Sequence, residues 1–373
     1  MSLLELNGVN KIYNPGSAHA VHAVQNLDLS VEKGEIVALL GSSGCGKTST
    51  LRMIAGFEEA SSGQMAINSK EINRLPPAKR GVAMAFEGYS LYPPLSIREN
   101  IAFALKAEKM PATEVNKQVE AIAALLEISD FLDKRPNAIS GGQQQRASLG
   151  RSLIRKADLH LLDEPMGQLE PQLRALLRGR IKHYIKQHNL TAILVTHDQT
   201  EANALADRIA VMEGGVLQQF DTPENLKNKP ANIFTGAFIG EPPMNLFEAG
   251  AALNDTEIHL RLGDDVKLEF PKARFSPELI ERVLTNKSVV VGIRPHSVHL
   301  AETGHPAEVY ANQWLGDQTH VAARFAGKSI VSVAHDRVRC GPGEQVNVQI
   351  NPEDLHIFDP ATGAALSHGG VLA

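Results

Sequence analysis

The stretch "GEIVALLGSSGCGKTSTLRMIAGF", residues 34–57, joins two unlike halves. Ile36 to Leu40 form a short unbroken apolar run, which suits a strand buried on both faces in a parallel sheet. From Lys47 onward the apolar residues recur at helical spacing. Between the two lie Gly41, Ser42, Ser43, Gly44, Cys45 and Gly46, followed by Lys47, Thr48 and Ser49. Glycine, four residues, glycine, lysine, threonine is the spacing of a loop whose backbone N–H groups cradle phosphates. The helix start behind the loop adds partial positive charge. Lys47 can reach the outer phosphates, and the Thr48 hydroxyl can ligate Mg²⁺. Strand, phosphate loop and helix in this order predict an α/β domain.

Two further apolar strands carry polar residues at their carboxyl ends, where ligands gather in open parallel sheets. "LHLLDEP", 159–165, ends in Asp163 and Glu164; Asp163 is placed to hold a Mg²⁺ shell and Glu164 to polarise an attacking water. His160, inside that strand, reads as a packed core histidine. "AILVTHD", 192–198, puts His197 where it can either sense a γ-phosphate or cap the strand end. "ISGGQQQRASLGR", 139–151, sets Ser140 as a helix cap, with Gly141, Gly142 and Gln143 opening that helix to a phosphate. One nucleotide does not need two such helices from one molecule. The pattern therefore suggests a dimer in which each chain offers this helix to the nucleotide held by the other.

The chain has 373 residues, 43% hydrophobic and 21% charged, with a net charge of -5. The length suits two domains, and the charge argues against an electrostatic grip on nucleic acid. No run reaches the roughly 18 apolar residues of a spanning helix, and no signal peptide is visible at the start. The two cysteines, Cys45 and Cys340, fit a reducing compartment. Strand-like and helix-like segments alternate through the first 236 residues, with helices expected at 113–127, 141–155, 170–188 and 199–207. Beyond "FTGAFIGEPPMN" the texture becomes short alternating runs, "EIHLRL", "VKLEF", "SVVVGI" and "EQVNVQI". That predicts a second, β-rich domain over 237–373.

In this order and spacing, "GSSGCGKT", "ISGGQQQR", "LHLLDEP" and "VTHD" resemble the ATP-binding subunit of an ABC transporter. "RPHSV" at 294–298 and the β-rich tail extend the likeness to nearly the whole chain. "SLYPPLSIRENIAFALK", "HDQTEANALADRIAVMEGG" and "TPENLKNKPANIFTGAFIG" resemble the carbohydrate importers of the maltose, trehalose and glycerol-phosphate group. The resemblance implies a P-loop ATPase domain over 1–236, with a helical subdomain at about 88–155, then an OB- or TOBE-like regulatory domain. It implies ATP and Mg²⁺, two transmembrane permease subunits, an extracytoplasmic solute-binding protein, and a seat on the cytoplasmic face of a bacterial inner membrane. It also implies adenine stacking by Tyr13, which by itself reads more readily as strand packing. Contact of Ser140, Gly141, Gly142 and Gln143 with the opposite subunit's ATP follows as well. Glu87, Tyr89, Leu91 and Tyr92 fall where permease helices dock, although local packing serves the last three as well.

Two positions depart from that pattern. Glu87 stands where the family has a glutamine that ligates the metal and links the nucleotide to the permease. A carboxylate ligates Mg²⁺ as readily as an amide, but it faces a triphosphate. Like charges about 4 Å apart repel by roughly 4 kcal/mol at an effective dielectric near 20. The second departure is Gly167-Gln168-Leu169-Glu170, where Ser-x-Leu-Asp is usual. Both lie in elements that couple sites to each other and to the membrane subunits. This distribution suggests a specialised half of a heterodimer, with a second ATPase carrying the usual residues.

Overall fold

The computed structural model describes residues 2–107, 109–263, 266–275 and 277–368. It divides into two compact units, residues 1–223 and 224–373.

In the first unit the apolar runs become strands of one six-stranded sheet. Its order is Val216–Asp221, Arg208–Glu213, Ile36–Gly41, Ala192–Thr196, Leu159–Asp163, Val82–Ala85. The last five of these run parallel, and Val216–Asp221 closes the edge antiparallel to its neighbour. Ile36–Gly41, Leu159–Asp163 and Ala192–Thr196 are buried at every residue, as unbroken apolar runs in a covered sheet should be. The parallel direction brings Gly41, Asp163 and Thr196 to one sheet edge.

A second, four-stranded antiparallel sheet, ordered Val21–Glu32, Ser2–Tyr13, Ser62–Ile67, Lys70–Glu71, was not separated from the α/β pattern by sequence. Its inward residues Leu4, Leu6, Val24 and Leu29 share one core with Leu51, Met53 and Ile54 of helix Lys47–Ala55 and with Leu39 and Leu161 of the large sheet. The helix behind the phosphate loop is thus packed between two sheets. Helices Ile97–Ala107, Ala112–Leu125 and Gly141–Leu153 pack on one another to make the helical part of this unit. Expected helix boundaries hold within about three residues: Ala112–Leu125, Gly141–Leu153, Pro171–Gln187 and Gln199–Leu205.

The second unit is β-rich, as its alternating pattern implied. One sheet runs Val266–Pro271, Glu257–Leu262, Asn245–Leu253, Ser288–Ile293, Leu355–Phe358, Ala365–Ser367. The other runs His299–Ala301, Gln345–Gln349, His305–Trp314, Thr319–Phe325, Lys328–Ala334. Alternation is strict in Val266–Pro271, where Val266, Leu268 and Phe270 turn inward. They join Phe247, Val291, Phe325 and Ile357 in a single core. The helix Pro277–Asn286 lies among these strands and contributes Leu279 and Ile280 to that core. Sequence reading did not anticipate it. The texture of the sequence changes after residue 236, whereas the compact unit begins at Glu224. Arg294 accounts for the difference: its guanidinium donates to the carbonyls of Lys227, Gly236 and Ile239, tying the two short helices before residue 240 to the β-rich core.

Candidate functional site

The loop between Ile36–Gly41 and Lys47–Ala55 needs its glycines for space as much as for flexibility. Gly46 caps the helix at φ 103°, and a Cβ there would stand 2.2 Å from the Ala23 carbonyl oxygen. A Cβ on Gly41 would meet the Met212 carbonyl at the same distance. Lys47 is buried, and its Nζ donates 2.8 Å hydrogen bonds to the carbonyls of Gly41 and Ser42. Its ammonium therefore bridges the loop it is expected to extend from. The Ser42 hydroxyl donates to Glu213 at 2.5 Å, while Ser42, Ser43 and Gly44 stay exposed. Cys45 is buried beside Lys47, and Thr48 and Ser49 are half-buried at the helix start.

Tyr13 ends its strand with its hydroxyl 3.1 Å from the Ser49 hydroxyl. Lys11, two residues earlier and on the same face, holds its Nζ 4.7 Å from the Tyr13 ring centroid. That ammonium is itself fixed by Glu58 at 3.0 Å and the Glu59 carbonyl at 2.9 Å. The ring is thus joined to the phosphate-loop helix at its edge and carries a cation over it.

Asp163 ends its strand nine-tenths buried, and its Oδ1 has no hydrogen-bond partner among the described residues. Burial, the Glu87 charge and the Glu164 charge, in that order, raise its pKa to about 6 against the pull of Arg52 and Lys47. Glu164 turns away from the strand at φ 48°, a left-handed conformation uncommon for glutamate. Its backbone N–H donates to Val195, and its carboxylate lies 2.9 Å from His197 Nδ1. His197 leaves its ring 66% exposed, so one nitrogen orients Glu164 while the other faces outward. His160 is fully buried with burial holding its pKa near 4, the neutral core histidine expected.

Glu87 follows strand Val82–Ala85, in which Ala85 is level with Leu162. Glu87 itself lies in the turn two residues past the end of that strand, on the carboxyl side of the sheet. Its side chain is exposed. Tyr89 and Ser90 adopt positive φ of 61° and 47°, so the chain reverses sharply here. Arg151 donates to both their carbonyls and closes the turn. Of the three apolar residues expected at a docking surface, Tyr92 is exposed while Tyr89 and Leu91 are only half-exposed. Tyr92 lines a cleft of about 500 Å³ with Phe57, Phe86, Phe103, Arg151 and Arg155.

Ser140 and Gln143 form a reciprocal cap: Ser140 Oγ accepts from the Gln143 N–H, and Gln143 Oε1 accepts from the Ser140 N–H. Gly141 and Gly142 remain half-exposed, so this helix start is open to solvent. A Cβ at Gly141 would lie 2.7 Å from Gln168 Oε1 and 3.2 Å from the Tyr89 hydroxyl. Gln145, which sequence reading passed over, links the pieces. Its Nε2 donates to the Glu164 carbonyl at 2.7 Å and its Oε1 accepts from the Gln168 N–H at 3.0 Å. Arg174 also went unread; it pairs with Asp198 at 3.0 Å and donates to the Leu169 carbonyl. A glutamine inside an otherwise buried helical face was the available signal. The structure thus gathers Lys47, Thr48, Asp163, Glu164, His197 and Glu87 at the carboxyl ends of the parallel strands. It holds Ser140–Gln143 apart, against Gln168 and Leu169.

The ABC transporter family model matches residues 24–167, the MalK OB fold domain residues 240–298, and the TOBE domain residues 291–358. The chain is 38% identical over 372 residues to an sn-glycerol-3-phosphate import ATP-binding protein of Agrobacterium fabrum, covering 99% of this chain and 96% of the relative. It is 39% identical over 361 residues to a trehalose/maltose import ATP-binding protein of Thermococcus litoralis, covering 93% and 96%. A sulfoquinovosyl glycerol transport ATP-binding protein of Agrobacterium fabrum is 36% identical, covering 97% and 99%. Among solved structures, the dimeric ATP-binding cassette MJ0796, in a post-hydrolysis state bound to ADP and Pi, is 26% identical with a TM-score of 0.55, covering 59% of this chain and 98% of that one. The chain belongs to the ABC transporter family: it is the ATPase of a carbohydrate-type importer, with OB and TOBE domains after its ATP-binding domain.

Proposed function

We propose that this chain hydrolyses Mg²⁺-ATP at the site built by Lys47, Asp163, Glu164 and His197, and so drives import of a sugar, polyol or glycerol-phosphate-like solute. The observation that carries the site is Glu164, turned out of its strand and gripped by His197 at 2.9 Å. In this reading Glu164 polarises the attacking water, and His197 keeps its carboxylate aimed and meets the γ-phosphate. Lys47 leaves the Gly41 and Ser42 carbonyls for the phosphates, whose charged oxygens accept its hydrogen bonds more strongly. Gly41 to Ser49 wrap the phosphates, and Tyr13 stacks on adenine. The unpartnered buried Oδ1 of Asp163 fits a metal, with the Thr48 hydroxyl and Glu87 as companions. Mg²⁺, when bound, neutralises charge that develops on the phosphates.

The partners of this reading are two permease subunits, docked near Glu87, Tyr89, Leu91 and Tyr92, and an extracytoplasmic solute-binding protein. Exposed Tyr92 and the aromatic cleft beside it support that docking face, and with it a seat for the chain on the cytoplasmic side of the membrane. No described helix is long and apolar enough to cross a membrane. The open start of helix Gly141–Leu153 supports a dimer in which Ser140, Gly141, Gly142 and Gln143 meet the other subunit's ATP. Departures at Glu87 and Gly167–Glu170 favour an unequal pair, a reading that rests on sequence alone. Native mass spectrometry of the complex tests it, and two copies of this chain without a second ATPase would end it.

The hydrolytic assignment is tested with Lys47→Ala and Glu164→Gln in the assembled transporter. Lys47→Ala weakens ATP binding, whereas Glu164→Gln keeps ATP and loses turnover by about 100-fold or more. Turnover by Glu164→Gln at the parent rate would show that another group activates water.

A further inference from the structure

We propose that Lys11 is a positioning residue for the adenine of ATP: its ammonium holds the Tyr13 ring ready for stacking before the nucleotide arrives. The inference rests on Tyr13 as the adenine partner and deepens that reading, because stacking by itself calls for no buried cation. Lys11 is 8% exposed, a depth at which a lysine needs partners. Its Nζ lies 3.0 Å from Glu58 Oε2, donates to the Glu59 carbonyl at 2.9 Å, and stands 4.7 Å from the Tyr13 ring centroid. The carboxylate and the carbonyl fix the ammonium, and the ammonium attracts the negative face of the ring.

These contacts tie the ring to both ends of one helix. The Tyr13 hydroxyl lies 3.1 Å from Ser49 Oγ, in the first turn of Lys47–Ala55. Glu58 belongs to the turn just past that helix, where the N–H groups of Phe57 and Glu58 donate to the Arg52 carbonyl. The same helix starts on the phosphate loop, so the stacking ring and the phosphate-binding groups share one element. Tyr13 itself ends its strand half-exposed, and residues 14–22 beyond it are exposed. A ring at such a strand end, if left unheld, would be ordered only on binding, and that ordering lowers affinity. The Lys11 clamp moves the ordering into folding. With the ammonium over one face, the other face is left for a base. The effect of Lys11 is therefore confined to the base, since its ammonium is held by Glu58 and Glu59 and not by the phosphate loop.

The test measures equilibrium binding of ATP and of inorganic tripolyphosphate, which has phosphates and no base, to the purified full-length chain. Lys11→Met removes the charge and keeps a long side chain. It is expected to weaken ATP about three- to tenfold and to leave tripolyphosphate binding unchanged. Lys11→Arg, which keeps a cation, should recover most of the ATP affinity. In a Tyr13→Leu background, Lys11→Met should weaken ATP no further, because the ring through which it acts is gone. Unchanged ATP affinity in Lys11→Met would overturn the inference, and so would an equal loss for ATP and tripolyphosphate. A loss that adds fully to that of Tyr13→Leu would overturn it as well, while leaving the stack itself standing. If Lys11→Met does not fold, Glu58→Gln carries the test, since it loosens the ammonium at a partly exposed carboxylate. The same split between ATP and tripolyphosphate is then expected, and its absence would overturn the inference. Unaltered ATP affinity in Tyr13→Leu would remove the stacking reading and the role of Lys11 together.

Discussion

Glu201 shows what burial does to a single charged residue in this domain. It lies 2% exposed, with Oε2 accepting from the Thr196 hydroxyl at 2.8 Å and Oε1 without a partner among the described residues. Burial, followed by the nearby Asp198 and Glu164 charges, raises its pKa from 4.5 to about 7, against the Thr196 bond and Arg174. A raised carboxyl pKa means that the folded protein holds a proton the unfolded chain releases. Stability is therefore highest below about pH 4.5 for this group and falls as pH rises towards 7. Glu201→Gln keeps an acceptor for Thr196 and has no charge to bury. It is expected to match the parent near pH 5 and to melt at higher temperature at pH 8, by at most about 3 kcal/mol of stability. A melting difference that does not vary with pH would show that Glu201 is not the titrating group. At the nucleotide, Tyr13→Ala is expected to weaken ATP by about 1–3 kcal/mol, the worth of an aromatic–base stack, with kcat kept. Equilibrium binding checks this, and unchanged affinity would leave Tyr13 as a strand residue only.

Elements of this fold differ in how openly the sequence displayed them. The phosphate loop, the two acid-ended strands and the Ser140 helix were legible because each combines a short periodicity with polar residues at a fixed offset. The antiparallel sheet that starts at Ser2 was not. Its strand Ser2–Tyr13 breaks register between Leu6 and Val9, and again between Val9 and Lys11, so the two-residue alternation blurs. Glu87 and Asp163 could be placed near one metal by resemblance, and the parallel pairing of Val82–Ala85 with Leu159–Asp163 brings both to the carboxyl side of the sheet. Gln145 and Arg174 act through backbone carbonyls and amides of the Glu164–Leu169 turn, and such partners leave no motif. Helix Gly141–Leu153 offers the sharpest element-scale test. Ser140→Ala removes the hydroxyl that caps it and is expected to cost about 1 kcal/mol of stability. Ser140→Thr, which restores a hydroxyl, should recover most of that loss. If Ser140→Ala leaves the melting temperature unchanged, the cap contributes only to the partner's nucleotide.

At the scale of the whole molecule the question is where one folding unit ends. Resemblance and texture placed the change at residue 236. Arg294 argues for an earlier one. It is 8% exposed, and burial lowers its pKa to about 10, so it is still charged at neutral pH. Its guanidinium is shared among the carbonyls of Lys227, Gly236 and Ile239. Helices Pro223–Asn228 and Ile233–Phe238 therefore end on a cation that belongs to the β-rich unit. A chain cut at residue 240 keeps both helices and loses the group that satisfies their carbonyls. A chain cut at residue 223 loses helices and cation together. Buried carbonyls left without a donor cost about 1–3 kcal/mol each, so the shorter fragment should be the more stable of the two. Thermal melts of both fragments, with ATP binding measured on each, decide between the boundaries. If the fragment ending at 240 melts higher than the one ending at 223, the two helices serve the ATPase unit and the division lies where the sequence placed it. Within the full chain, Arg294→Met should lower the melting of the β-rich unit and leave ATP affinity as it is. A loss of ATP binding in that variant would mean that the two units do not fold separately.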